Sequence, residues 1–493
     1  MHVVVVGILA LILTFTAPPY PWLRGPFATL GAAAAVTLIP AAAAWLLNRR
    51  VLRLFDEHAA MPSRAQAALG RGMAVIQGVL GVGHGALLLT TDWLELCYRL
   101  PVVGTWPAVP GLAALAPFLL TLVLVWSALY PSDRAVRQIA FELHLLRGQP
   151  LRPVWSRWQH LIYSLRHQVL FVLVPMALIL AARDTVYAYE EPLRRLTRVP
   201  YAGDLLIGAV ALLVAVIAPA LLRRIWVTQR LPDGPLRDRL LALCDRLRLR
   251  CREILVWRSG GMVVNAAVMG VVPRWRYVLI TDGMLEQLDD TKIEAVFGHE
   301  AGHVQERHIP YYLLFALLSG CLVAVFSTAA RALPREQYEW ALAALGVLLL
   351  VKWGVVFGWI SRRFERQADV CGVRALTLSG LPCDQPCALH PPSTDRPPEP
   401  GALCAAAAHV FSDALHDVAA LNGMSAEARS WRHSSIASRS RFIQRLALRP
   451  AEVRAFERAV RRVKLAIAVA AAGSAAWAAQ ALGVWAALRA WIG

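Results

Sequence analysis

Long apolar runs separated by short polar punctuation set the pattern of this chain. About nine stretches, roughly 2–17, 27–47, 72–91, 108–130, 168–182, 203–222, 311–330, 340–360 and 464–488, are mostly Ala, Leu, Val and Ile. They approach or reach the ~20 residues with which an α-helix crosses a bilayer. The first has the length of a signal peptide but lacks a basic leading region and a small-residue cleavage site, and further spans follow it. It is therefore read as a membrane segment.

Between the sixth and seventh runs the pattern changes. Pro235 to Arg250 places Leu236, Leu240, Leu243 and Leu247 on one face, which predicts an amphipathic basic helix. Three strand-like runs follow, Glu253 to Trp257, Met262 to Val268 and Tyr277 to Thr281, divided by Gly260-Gly261 and by Gly270 to Pro273. Thr291 and Glu294 then have the spacing of a capping box, predicting a helix from there to about His308. A small β-sheet thus leads into a capped helix.

Composition narrows the class. The chain has 493 residues, 57% of them hydrophobic and 17% charged, well below the roughly one quarter charged residues of soluble domains. Its 51 Lys and Arg against 33 Asp and Glu could suggest a nucleic-acid partner. Most of the Arg residues flank apolar runs, however, as in Asn48-Arg49-Arg50 and Leu222-Arg223-Arg224, where they orient spans; no nucleic-acid binding is expected. The Arg-rich loops 48–71 and 131–167 are assigned to the cytoplasm, while loop 183–202, with Arg183, Arg194, Arg195 and Arg198, opposes the alternation. Counting onward places 223–310 and 361–463 together on the cytoplasmic side, which in a bacterium is that of the inner membrane. The eight cysteines are thinly spread and give no disulfide framework.

The capped helix carries His299-Glu300-Ala301-Gly302-His303, an H-E-x-x-H motif. Two histidines four residues apart on a helix share a face and can offer two imidazole nitrogens to one metal ion. Glu300 lies beside them as a candidate general base. A zinc ion held there would lower the pKa of a bound water and polarise a peptide carbonyl. A catalytic zinc wants a third protein ligand, and the candidate follows the next apolar hairpin: Glu365 and Asp369, four apart on a probable helix in Ser361 to Asp369. Glu365 completes a His-His-Glu set, and Asp369 can hydrogen-bond a ligand imidazole.

With these residues the chain resembles the integral-membrane zinc metalloproteases that include the type I CAAX prenyl protease and the bacterial heat-shock protease HtpX. The resemblance rests on Asn265-Ala266 followed by Gly270, on His299 to His303, on Glu365 to Asp369, and on His433 with Arg439; it covers about 250 to 445. It implies a gluzincin-like core in which His299, His303 and Glu365 bind one Zn2+ per chain, Glu300 activates water, and Asp369 supports a ligand from behind. It further implies that Asn265 and Ala266 belong to an edge strand that pairs with extended substrate, and that His433 and Arg439 stabilise the oxyanion or fix the substrate. Ser434 stands where many relatives have Pro, and Arg441 is an alternative to Arg439.

Other features are set aside. His308, five beyond His303, falls off the ligand face and is expected to cap the helix at the membrane surface. Cys383, Cys387 and His390 hint at a second metal site, but Pro382 to Pro400 reads as a mobile Pro-rich insertion. His84 and Asp204, ionisable groups in or beside apolar spans, are ascribed to packing and snorkelling.

The sequence is thus read as a multi-pass α-helical membrane protein of about nine spans with a gluzincin-like zinc protease core containing a small β-sheet. Its segments are a membrane bundle (1–222), the first half of the core (223–310), a membrane hairpin (311–360), the second half of the core (361–450) and a basic helix with a last span (451–493). The expected activity is zinc-dependent hydrolysis of peptide bonds in proteins or peptides at the lipid bilayer. The alternative is a proteolytically silent membrane scaffold or signalling protein of the same fold.

Overall fold

The computed structural model describes residues 22–57, 62–101, 103–145, 154–197, 202–261, 263–330, 333–384, 387–390, 399, 401–428 and 432–481. The expected span at 2–17 lies outside them. The chain divides into two compact units, Met1–Val227 and Thr228–Gly493.

The first unit is helical: α1 (Pro26–Glu57), α2 (Pro62–Thr90), α3 (Trp93–Arg99), α4 (Val109–Ala114), α5 (Ala116–Leu145), α6 (Arg157–Ser164), α7 (Leu170–Ala188), α8 (Glu190–Thr197) and α9 (Ala202–Ile225). Large apolar side chains such as Phe27, Leu38, Ile39 and Leu212 stand exposed on the long helices, as a lipid-facing surface requires. A buried polar clamp joins α1 to α5, where the Asn48 side chain accepts from the Ser132 N–H at 3.1 Å and hydroxyl at 2.7 Å. The expected run 108–130 is broken rather than continuous. Ala108 takes a left-handed φ of 69° and donates its N–H to Asp184 Oδ2 at 2.9 Å, opening the short α4, which ends at its C-cap Leu115 before the spanning helix starts at Ala116. His84 is buried in α2 against Phe118, and Asp204 is exposed in the first turn of α9.

The second unit contains β1 (Thr228–Arg230), α10 (Pro235–Arg246), β2 (Glu253–Trp257), β3 (Ala266–Met269), β4 (Tyr277–Thr281), α11 (Asp282–Gln287) and α12 (Asp290–Gln305). These are followed by α13 (His308–Ala330), α14 (Arg335–Val351), α15 (Phe357–Leu378), α16 (Ala405–Leu421), α17 (Ile436–Leu448) and α18 (Pro450–Ala481). The mixed sheet has the order β1-β2-β4-β3. β2 and β4 pair in parallel at its centre, and β4, whose residues are all buried, reads as the unbroken apolar run such a position needs. β3 is an edge strand, antiparallel to β4.

Seven helices among the described residues are long and apolar enough to cross a membrane. The expected run 311–330 lies within one helix, α13 (His308–Ala330). The run 340–360 is longer than its apolar part suggests: a π-turn at Lys352–Val356 passes it into α15, so Ala344–Leu378 is one continuous rod. Lys352 closes this hairpin by donating its ammonium to Phe315 O at 2.7 Å and Ser319 Oγ at 2.6 Å on α13.

Two boundaries differ from the sequence expectation. The strand foreseen at Met262 to Val268 begins only at Ala266, because the Asn422 amide occupies the backbone of Val264 in place of a strand neighbour, accepting from its N–H at 3.1 Å and donating to its carbonyl at 2.7 Å. The helix foreseen from Thr291 to His308 is capped by Asp289, which accepts from the Lys292 N–H at 2.9 Å; Glu294 is instead drawn to Arg239 at 2.6 Å. That helix stops at Gln305, and Arg307 takes a left-handed φ of 56° before α13 begins.

Candidate metal centre and active site

Close helix packing builds the centre. A Cβ on Gly298 would lie 2.3 Å from Ala375 Cβ, and one on Gly302 2.6 Å from Cys371 Cβ. Gly372 on α15 is equally tight, its Cβ falling 2.4 Å from the Phe411 ring of α16. These glycines let α12 and α15 approach almost backbone to backbone. Their approach sets His299 and His303 of α12 opposite Glu365 and Asp369 of α15.

The three expected ligands converge, with donor atoms of His299, His303 and Glu365 all within 4.8 Å of one another. His299 Nε2 lies 3.6 Å from Glu365 Oε2, and His303 Nε2 lies 3.8 Å from Glu365 Oε1. Two ligands at the usual zinc distances of about 2.0–2.1 Å in tetrahedral array stand about 3.3 Å apart. The two histidine–glutamate edges need about 0.3–0.5 Å of closure, and the donor types are those zinc takes, so the donor set fits zinc.

Both imidazoles are held from behind. His299 Nδ1 is 2.9 Å from the buried Asp369 Oδ1, which leaves Nε2 to face Glu365. His303 is fixed by a longer relay whose direction can be worked out. Lys464 Nζ donates to Glu306 Oε2 at 2.7 Å, so that oxygen is an acceptor. Gln367 Nε2 donates to the same oxygen at 2.6 Å, which turns Gln367 Oε1 toward His308 Nε2 at 3.0 Å. His308 therefore carries its proton on Nε2 and accepts at Nδ1 from His303 Nδ1 at 2.9 Å. His303 Nε2 is left with its lone pair directed at the cluster. His308 is thus a buried partner of His303 and not a helix cap at the membrane surface; the break at Arg307 returns it to a face that helical counting excludes.

Arg439 sits behind Asp369 as well, donating from Nε at 2.9 Å and from Nη2 at 2.5 Å, with Nη2 3.5 Å from His299 Nδ1. The resemblance implies that this guanidinium meets the oxyanion or the substrate; the structure instead buries it on Asp369, where its charge is needed to compensate a carboxylate without solvent. Arg441 points away, exposed and 3.7 Å from Glu427. His433 lies partly exposed with Nδ1 3.1 Å from Glu365 Oε2, at the open side of the cluster.

The electrostatics favour a cation. Burial alone would lower His299, but hydrogen bonds to Asp369 and Glu365 outweigh it and hold the imidazole up at about 9. Burial pushes His303 down to about 4, with Glu365 opposing only in part. Burial pushes Glu300 up to about 7, with the charge of His299 opposing and that of Glu365 reinforcing.

The backbone N–H of Val268 on β3 faces Glu300 and favours its ionised form. The ladder explains why that N–H is available. The backbone of Asn265 is turned toward β4, its carbonyl accepting from Thr281 N–H and its N–H reaching Thr281 Oγ1, both at 3.0 Å. Alternation then turns the backbone groups of Ala266 and Val268 to the open edge, on the side of α12. The side chain of Asn265 is exposed and that of Ala266 buried.

A second group is more complete than its sequence pattern suggests. Cys383, Cys387 and His390 are joined by Cys404, and the four donor atoms again lie within 4.8 Å of one another. Cys404 escapes the pattern because it stands beyond the Pro-rich segment, at the first residue before α16.

Residues 236–416 match the model of peptidase family M48. The chain is 28% identical over 174 residues to a protease HtpX homolog of Archaeoglobus fulgidus, covering 34% of this chain and 50% of that protein. It is 33% identical over 152 residues to a protease HtpX homolog of Pyrobaculum islandicum, covering 29% and 43%. The matched region thus spans half or less of these curated relatives. Among solved structures, the crystal structure of S. mikatae Ste24p aligns with a TM-score of 0.50 at 15% identity over 84% of this chain and 98% of that one, a likeness of fold. The chain therefore resembles the integral-membrane zinc metalloproteases, and its described helices are those of a multi-pass membrane protein.

Proposed function

We propose that the chain is a zinc-dependent endopeptidase that hydrolyses peptide bonds of membrane or membrane-associated proteins or peptides. The observation that carries this reading is the convergence of His299, His303 and Glu365 beside Glu300 and the open edge of β3. The matched peptidase family and the relatives named as proteases agree with it.

His299, His303 and Glu365 would hold the zinc ion, with Asp369 and His308 fixing which nitrogen each imidazole presents. Bound zinc supplies Lewis acidity toward the scissile carbonyl and lowers the pKa of water. Glu300, raised to about 7, is tuned to take a proton from the attacking water and hand it to the leaving amine. An extended substrate would add to β3 through the outward backbone of Ala266 and Val268, with Asn265 exposed at the start of the strand. His433 is assigned to the oxyanion or the substrate from the open side, while Arg439 acts by orienting Asp369.

The membrane location of the substrate is supported by the continuity of α15 with a spanning helix. Glu365 follows Phe357 by eight residues, about 12 Å of helix, so the chemistry stands within a few turns of the apolar rod. The Arg-rich loops 48–71 and 131–167 support a cytoplasmic catalytic face. The test is chelation: purified protein in detergent should lose peptide hydrolysis with a zinc chelator and regain it with added zinc. Hydrolysis that persists through exhaustive metal removal contradicts the reading.

A further inference from the structure

The sulfur atoms of Cys383 and Cys387 lie 3.9 Å apart, and Cys387 Sγ lies 3.5 Å from His390 Nδ1. A disulfide would need about 2.05 Å between sulfurs, so the thiols are adjacent but unlinked. With zinc–sulfur bonds of about 2.3 Å and zinc–nitrogen bonds of about 2.05 Å, a tetrahedral site sets two sulfurs about 3.8 Å apart and a sulfur and a nitrogen about 3.6 Å apart. The two observed edges match that polyhedron.

Cys404 supplies the fourth corner, its sulfur within 4.8 Å of the donor atoms of Cys383, Cys387 and His390. Ordinary apolar burial explains Cys404, which is fully buried, but not His390, whose exposed ring has no apolar surface to gain by meeting a thiol. The spacing, Cys-x3-Cys-x2-His followed after thirteen residues by Cys, gives a short knuckle and one distant ligand, the pattern of closed structural zinc sites.

The position suggests what such an ion would do. The knuckle follows the end of α15, where Gly380 takes a left-handed φ of 83°, and Cys404 immediately precedes α16. Leu381, Cys383 and Leu389 rest on the same core that contains Cys404, Ala407 and Phe411. The four donors therefore tie the two ends of the Pro-rich segment together at the joint between the helix bearing Glu365 and the helix packed against α12.

We propose that Cys383, Cys387, His390 and Cys404 bind a second zinc ion in a closed Cys3His site that ties the end of α15 to the start of α16.

Metal analysis of the purified full-length chain tests this, with the two sites separated by mutation. About two zinc ions per chain are expected in the wild type and about one in His303→Ala, which keeps the cysteine site. Cys383→Ser/Cys404→Ser should also bind about one. Cobalt-substituted His303→Ala should show the near-ultraviolet thiolate charge-transfer band, a readout that stands even if the cysteine variant fails to fold. The proposal is overturned if cobalt-loaded His303→Ala lacks that band, if the cysteine variant keeps the wild-type zinc content, or if mass spectrometry finds these cysteines as disulfides in the wild type.

Discussion

Arg439 grips Asp369 with two guanidinium nitrogens, at 2.9 and 2.5 Å, and both side chains are buried. Asp369 in turn holds His299 at 2.9 Å, so a residue on α17 governs the orientation of a proposed metal ligand on α12. Removing Arg439 leaves an uncompensated carboxylate in the interior. Arg439→Ala is expected to lower stability by about 3–5 kcal/mol and zinc affinity by about 10- to 100-fold. Thermal unfolding and a zinc-chelator competition check both, and Arg441→Ala, on the exposed neighbour, should change neither.

The relay behind His303 makes a separable prediction. His308→Phe preserves the stacking on Phe364, now at 4.3 Å between ring centroids, but removes the acceptor for His303 Nδ1. Zinc affinity should fall by about 10- to 100-fold while the helices stay folded. Wild-type zinc affinity in a folded His308→Phe protein would show that the relay does not position His303.

Helix packing supplies a third. Gly302→Ala places a methyl group 2.6 Å from Cys371 Cβ, forcing α12 and α15 apart, with a cost of about 1–3 kcal/mol and a loosened metal site. Gly346→Ala, where nothing lies within 4 Å, should be neutral by the same unfolding measurement.

Much of this site is legible in the amino-acid sequence. H-E-x-x-H and the Glu365–Asp369 spacing work because each motif lies within one unbroken helix, where period and face are known. The apolar runs of β2 and β4 are equally plain, being central strands. The features that escape the sequence depend on where regular geometry stops or on tertiary partners. Helical counting excludes His308 because the left-handed turn at Arg307 cannot be seen in the pattern. Asp289 displaces Thr291 as the cap because Glu294, the other half of the box, has a better partner in Arg239 fifty-five residues away. Cys404 and the Arg439–Asp369 pair are tertiary meetings between segments that no local period connects.

The Glu300 carboxyl, raised to about 7 by burial, gives a pH dependence. A general base must be ionised, so kcat/KM is expected to fall as pH drops through the acid limb. That limb lies at or below about 7, because a bound cation favours the ionised form. A kcat/KM that shows no acid limb down to the pH at which the protein unfolds would contradict the assignment of Glu300 as the base.

The most direct test of the zinc-peptidase account is Glu300→Gln, measured for zinc content and peptide hydrolysis on the same preparation. The account predicts wild-type zinc content, since Glu300 is not a ligand, with hydrolysis reduced by a factor on the order of 10² or more. Undiminished hydrolysis in a zinc-loaded Glu300→Gln protein would contradict it.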